Sequence, residues 1–330
     1  MQDTEFFFSL TQDGVLDAVE AEGFLCTGRC FALNSYENRV YEVELEGEGT
    51  PIERKRVIKF YRPGRWTIDQ ILEEHEFLRE LKEAEIPVVW PLTFADGATL
   101  HVTKETHLAY AIFPKVGGRQ PDELDEDQSQ WLGRLIARIH NVGAGHPARH
   151  RIHLDLPTYG LSNLDFLLRG EWLPPVFSKR FEAAVLEICR LSQAGFPSEE
   201  VQRIHGDCHM GNLLWDTKGP FFLDFDDMVT GPPVQDVWLL TPGRDELAQE
   251  EREALLDGYT SMRAFDRRTL KWVETLRALR YVHFSTWIAR RWKDPAFPIA
   301  FPHFNTPKYW EEKTHDLEEQ VFRVREALEA

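Results

Sequence analysis

The sequence predicts an α+β protein in two lobes, a small β-rich N-terminal lobe followed by a larger, mainly helical C-terminal lobe. Three observations carry this prediction. The first third of the chain alternates strand-like runs with turn-like breaks. Beyond about residue 120, apolar residues recur at helical spacing instead. Within that second part, the segment His205 to Asp227, HGDCHMGNLLWDTKGPFFLDFDD, places two apolar runs around a Gly-containing turn, as a β-hairpin does.

The N-terminal elements follow from local pattern. Residues 40–45, VYEVEL, alternate apolar and polar like a half-buried strand. GEGTP breaks the run, and RVIKFY at 56–61 reads as a second strand, so the pair is expected to form a hairpin. Thr67 and Gln70 fit a capping box, in which hydroxyl and amide side chains satisfy free backbone groups and open a helix over about 68–85. On that helix Ile71, Leu72, His75, Leu78 and Leu81 share one face, and Glu74 falls between Leu78 and Leu81 on the same face. A carboxylate on an apolar face is costly unless paired. Lys59, inside the apolar strand VIKFY, poses the matching problem, so each is expected to supply the other's partner. In kinases a strand lysine and a helix glutamate paired in this way position nucleotide phosphates. The plainer alternative puts Lys59 on the polar side of an alternating strand and Glu74 at the edge of the stripe.

Residues 86–120 read as further sheet ending in a crossover. AYAIFPKVGG runs into Pro114, Gly117 and Gly118, which predicts a hinge at 114–120 with its backbone facing an adenine, and lobes of 1–116 and 117–330. Trp131, Leu132, Leu135, Ile136 and Ile139 predict a helix by their spacing, and further helices are expected over 181–191, 270–292 and 311–328. Arg290, Arg291 and Lys293 fall near the end of the third, where cations complement the helix dipole.

Composition excludes several classes. A chain of 330 residues, 42% of them hydrophobic, is long enough to bury a sizeable core. A formal net charge of -17 disfavours nucleic acid and anionic membrane surfaces as partners, because both are bound through Lys and Arg. Cys26, Cys30, Cys189 and Cys208 form no CxxC pair and no disulfide framework, which fits a reducing cytoplasm. Cys208 reads as a small buried side chain. MQDTEFFFSL lacks the basic start and long apolar core of a signal peptide, and no run approaches the roughly 20 apolar residues of a membrane span. A cytoplasmic monomer is expected.

The chemistry concentrates in the hairpin segment. Folding the hairpin brings Asn212, before its first strand, close to Asp224, at the end of its second, while Asp207 lies on the loop that enters it. Phosphoryl transfer from a magnesium nucleotide needs such a set: one carboxylate to orient the attacking hydroxyl, and an amide oxygen with a second carboxylate to hold the metal. Oxygen-only ligands suit Mg²⁺. The plainer reading makes Asp207 a turn residue and Asp224 to Asp227 a solvated strand exit. A rival metal reading takes His205, Asp207 and His209 as alternating ligands of a zinc or iron centre, but the sequence has no second His-rich cluster to complete it.

HGDCHMGN followed by FLDFDD resembles the phosphate-transfer motif and metal-binding Asp of the aminoglycoside phosphotransferase and choline kinase superfamily, which shares the protein-kinase-like bilobal fold. NSYENRVY at 34–41, VIKFYRPGRW at 57–66, DQILEEHEFL at 69–78 and RRWKDPAFP at 290–298 resemble the bacterial stress response kinase A family in the same order along the chain. The resemblance implies a cytoplasmic, ATP-dependent serine/threonine protein kinase linked to envelope or oxidative stress, with ATP and Mg²⁺ as cofactors and a protein hydroxyl as acceptor. By motif, Asp207 is the catalytic proton acceptor. Asn212 and Asp224 bind magnesium, and Asp224 is an active-site residue as well. Lys59 contacts the nucleotide phosphates and Glu74 orients it. The block Ser35 to Asn38 takes the place of the phosphate-covering loop. Residues 32–40 contain no glycine, so Ser35 and Asn38 are expected to offer side-chain donors in place of a glycine-rich turn. Asp236 is expected to brace the catalytic loop. Two alternatives stand beside this reading: a small-molecule kinase of the aminoglycoside, choline or homoserine type, and a pseudokinase scaffold, which the intact Lys59, Asp207, Asn212 and Asp224 argue against.

Overall fold

An antiparallel sheet organises the N-terminal part of the computed structural model, which describes residues 7–196, 200–217 and 219–329. Residues 1–6 of the N-terminus discussed above and Lys218 of the hairpin turn lie outside the described residues. The sheet contains β1 (Cys26–Ala32), β2 (Arg39–Leu45), β3 (Lys55–Phe60), β4 (His101–Val102) and β5 (Ala109–Pro114), ordered β1-β2-β3-β5-β4. Helix α1 (Gln12–Glu20) precedes it and α2 (Ile68–Glu83) follows β3. The expected hairpin pairs Val40 with Lys59 and Tyr41 with Ile58.

Because side chains alternate across a strand, β3 feeds two cores. Ile58 and Phe60 pack with Val15 and Val19 of α1, while Val57 and Tyr61 join Ile71 of α2 and Ala111 and Phe113 of β5. Lys59 therefore shares the α2 side of the sheet. The capping box at Thr67 and Gln70 forms in both directions, and Ile71, Glu74, His75, Phe77, Leu78 and Leu81 are buried. Leu72 departs from expectation. It is 41% exposed, while Phe77, on the opposite edge of the stripe, is buried.

The chain divides into two units, Met1–Leu124 with His209–Asp227, and Asp125–Cys208 with Met228–Ala330. The expected division had a single boundary after residue 116 and left the hairpin with the helices. Backbone pairing explains the difference. Strands Leu213–Asp216 and Gly219–Phe222 form the expected hairpin. Phe222 N–H then bonds to Pro87 O at 2.9 Å, and Arg119 and Trp215 exchange bonds of 3.0 and 2.8 Å, which ties the hairpin into the first unit.

The second unit is mainly helical. Helix α3 (Glu126–Gly145) lies against the helix Glu246–Thr260 with the backbones almost in contact. A Cβ on Gly133 would meet Leu255 O at 1.9 Å, and one on Gly258 would meet Gln130 O at 1.9 Å, so only glycine permits this approach. A larger core of Phe181, Phe297, Phe304, Trp310 and Leu317 joins the helices Pro175–Ser192, Val273–Arg291 and Pro307–Glu329. The short strands Gln202–Ile204 and Val229–Gly231 pair antiparallel beside them. No helix among the described residues is long and apolar enough to cross a membrane.

Candidate active site

Lys59 meets three carboxylates in the first unit. Its Nζ donates to Asp224 Oδ1 at 3.1 Å, lies 3.1 Å from Asp226 Oδ1, and sits 3.8 Å from Glu74 Oε1. Burial alone would push the Lys59 pKa down, but the charges of Asp224, Asp226 and Glu74 outweigh it and hold the pKa well above that of an ordinary lysine. The side chain is therefore a fixed ammonium. The pairing of Lys59 with Glu74, inferred from two charges misplaced in apolar patterns, is present, and two further anions share the lysine.

The hairpin sets the geometry of Asn212 and Asp224. Leu213 pairs with Phe222, and the next bond outward runs from Leu223 N–H to Asn212 O at 2.9 Å. Asp224 follows at once, with φ of 55°, a left-handed conformation that Asp tolerates better than most residues but that still costs energy. The strain re-aims the side chain: Asp224 leaves the ladder and its carboxylate is 53% exposed. Below it, Phe225 packs edge-on against Phe77 of α2, which locks the segment to the helix bearing Glu74. Asn212 and Asp224 together offer a neutral amide and one carboxylate, a hard oxygen set that fits a divalent cation taking its remaining ligands from water and phosphate.

Ser35 and Asn38 have partners within the protein. Ser35 Oγ accepts the Asn38 N–H at 3.3 Å. The Asn38 amide is buried, donates from Nδ2 to Asp226 Oδ2 at 3.2 Å, and accepts the Arg62 N–H at 3.1 Å on Oδ1. Its side chain thus stitches the turn to the segment after Asp224, where the sequence had suggested a donor to phosphate. Arg65 completes the cluster through Asp226 at 2.6 Å, Glu37 at 3.0 Å and Asp227. Burial would lower the Arg65 pKa, but Asp227, Asp226 and Glu37 raise it well above the usual value. Sequence reasoning missed Asp226, Arg65 and Glu37. The available signal was a carboxylate set between Phe225 and Met228, the same kind of misplaced charge that identified Lys59 and Glu74.

In the second unit, the loop carrying Asp207 is braced as expected by Asp236. This carboxylate is fully buried and accepts the His205 and Gly206 N–H groups, each at 2.9 Å. His140 Nε2 lies 3.1 Å from it, and Tyr259 hydroxyl bonds to the other ring nitrogen of His140 at 2.9 Å. Gly206 has φ of 84°, which a side chain would resist, and this turn carries the backbone from buried His205 to Asp207. Asp207 Oδ1 then receives a bond of 2.7 Å from Arg280 Nη1, a partner the sequence did not suggest. His205 is fully buried, and His209 Nδ1 accepts the Gly211 N–H at 3.0 Å to cap its own turn. That bond commits the His209 ring to its own turn, away from the alternating metal centre considered as a rival. Burial, then Asp236 and Asp207, push the Cys208 thiol well up, so it stays an inert core group.

The class defined by this fold and these residues is a phosphotransferase, and comparison with known proteins agrees. Residues 31–273 match the phosphotransferase enzyme family. The chain is 37% identical over 326 residues, 97% of its length and 96% of the relative's, to the serine/threonine protein kinase RdoA of Salmonella typhimurium. It is 37% identical over 328 residues, 99% of its length and 97% of the relative's, to stress response kinase A of Escherichia coli (strain K12). Two solved structures share the fold. The amicoumacin kinase hAmiN, in complex with AMP-PNP, Ca²⁺ and Ami, superposes with a TM-score of 0.71 at 19% identity over 92% of this chain and 97% of that one. A microcompartment-associated aminopropanol kinase gives 0.69 at 20% identity over 94% and 98%. The chain belongs to the phosphotransferase enzyme family and, within it, to the stress response kinase A group. The family implies a nucleotide, a divalent metal and a hydroxyl-bearing acceptor.

Proposed function

We propose that this chain is an ATP- and Mg²⁺-dependent serine/threonine protein kinase of the cytoplasm that acts in a stress response. The observation that carries this reading is its likeness, across 97% of its length, to a protein named for that activity. The four free cysteines suit a reducing compartment.

In this reading, the acceptor hydroxyl oxygen bonds to the γ-phosphorus of ATP as the bond to the bridging oxygen breaks. ADP leaves with that electron pair, and the hydroxyl proton passes to an Oδ of Asp207. Arg280 holds the Asp207 carboxylate in one orientation. Lys59, an ammonium in this environment, meets the phosphate oxygens. Asn212 and Asp224 would hold the metal, which when bound offsets phosphate charge. The turn from Ser35 to Asn38 covers the phosphates with its backbone, since the Asn38 side chain is committed to Asp226 and Arg62.

The acceptor class is tested with γ-labelled ATP and Mg²⁺. The enzyme is incubated alone, with a denatured protein mixture, and with choline or an aminoglycoside. Label is expected on Ser or Thr of protein. Label confined to the small hydroxyl compounds would replace this reading with that of a small-molecule kinase.

A further inference from the structure

Asp226 stands between Lys59 and the turn at 35–38. It is 2% exposed, and its Oδ1 lies 3.1 Å from Lys59 Nζ, nearer than Glu74 Oε1 at 3.8 Å. Its Oδ2 takes Arg65 Nη1 at 2.6 Å and Asn38 Nδ2 at 3.2 Å. Asn38 also receives the Arg62 N–H, and Glu37 takes Arg62 at 3.1 Å and Arg65 at 3.0 Å. One carboxylate thus ties the turn at 35–38 to the strand lysine and to the loop just after β3.

The two acidic side chains of the Asp224-Phe225-Asp226 segment have different surroundings. Asp224 is half exposed beside Lys59. Asp226 has both oxygens against buried cations and an amide, and accepting a metal would strip at least one of them. Charge-assisted bonds in a dry environment are strong and directional, and breaking one leaves a buried charge without its partner. Of the two buried carboxylates beside Lys59, Asp226 therefore lies closer to the ammonium than Glu74 and is itself the more firmly anchored.

We propose that Asp226 is the positioning residue that fixes Lys59, with Glu74 in a secondary role, and that Asn38 and Arg65 make the setting of Lys59 depend on the turn at 35–38. This rests on the reading of Lys59 as a phosphate-binding residue.

The test compares Asp226→Asn, Glu74→Gln and Asn38→Ala, each alone and combined with Lys59→Ala. The readouts are KM for ATP, kcat, and the ATP dissociation constant by titration calorimetry. Removing a charge-assisted bond is expected to raise the ATP KM about tenfold or more in Asp226→Asn. Glu74→Gln is expected to raise it less, and Asn38→Ala about threefold. In the Lys59→Ala background these effects on ATP binding should vanish, because the coupled partner is gone. A purely structural role would weaken binding equally in both backgrounds and overturn the proposal. So would an Asp226→Asn effect no larger than that of Glu74→Gln. If Asp226→Asn does not fold, Asn38→Ala decides alone, and an unchanged KM overturns the proposal. Lys59→Ala by itself checks the underlying reading: unaltered ATP binding there would remove Lys59 from the nucleotide site, a failure distinct from the loss of the Asp226 ranking.

Discussion

Arg280 Nη1 donates to Asp207 Oδ1 at 2.7 Å. The carboxylate read as the proton acceptor is thus held by a cation on the helix Val273–Arg291. A bond from a guanidinium restricts where the carboxylate points, and proton transfer in phosphoryl transfer depends on that direction. Arg280→Gln is expected to lower kcat about tenfold while the ATP dissociation constant stays within about twofold, and Arg280→Lys is expected to recover part of the loss. Steady-state kinetics beside calorimetry check this; a loss confined to ATP affinity would contradict it.

Asp224→Asn is expected to shift metal dependence. The exposed carboxylate of Asp224 supplies the only formal charge of the oxygen pair it makes with Asn212. An amide in its place should raise the magnesium concentration for half-maximal turnover by about tenfold or more, since few protein ligands share the load. A magnesium titration identical to that of the wild type would remove Asp224 from the metal site.

Asp236→Ala is expected to destabilise the second unit by about 3–5 kcal/mol, because it strips a buried acceptor from two backbone N–H groups and from His140. Urea unfolding measures this. Turnover should fall further than nucleotide binding, because the loop that Asp236 braces carries Asp207.

The sheet edge gives a pH prediction. His101 Nδ1 lies 2.7 Å from Glu22 and Nε2 lies 3.0 Å from Asp96. Burial alone would lower its pKa, but the hydrogen bonds to Glu22 and Asp96 outweigh that and raise it. The folded state therefore favours the imidazolium. Its contribution to stability is complete below the unfolded value of about 6.5 and is lost as pH rises through the higher folded value. Thermal unfolding of wild type and His101→Gln should differ most near pH 6 and converge toward pH 9. A difference that grew with pH would contradict this.

Much of the first unit was legible because its charges break local patterns. Lys59 in an apolar strand and Glu74 on an apolar helix face each implied a partner, and the capping box at Thr67 and Gln70 fixed where α2 starts. The hairpin was legible from its turn chemistry. Periodicity could not decide between Leu72 and Phe77, which lie near the edges of the same stripe, and packing of Phe77 on Phe225 settled it. Nor does local pattern say which distant polar side chains meet. Arg280 and Asp207 are 73 residues apart, and Asn38 and Asp226 are 188 apart. The same limit hid the place of the hairpin, which is set by bonds to Pro87 and Arg119 that no short window contains.

Single-turnover transfer from γ-labelled ATP by Asp207→Ala decides whether phosphoryl transfer runs with Asp207 as proton acceptor. The rate is expected to fall by roughly 10²–10⁴-fold while calorimetry shows ATP bound almost as tightly as by the wild type. Transfer at the wild-type rate would rule out Asp207 as the proton acceptor.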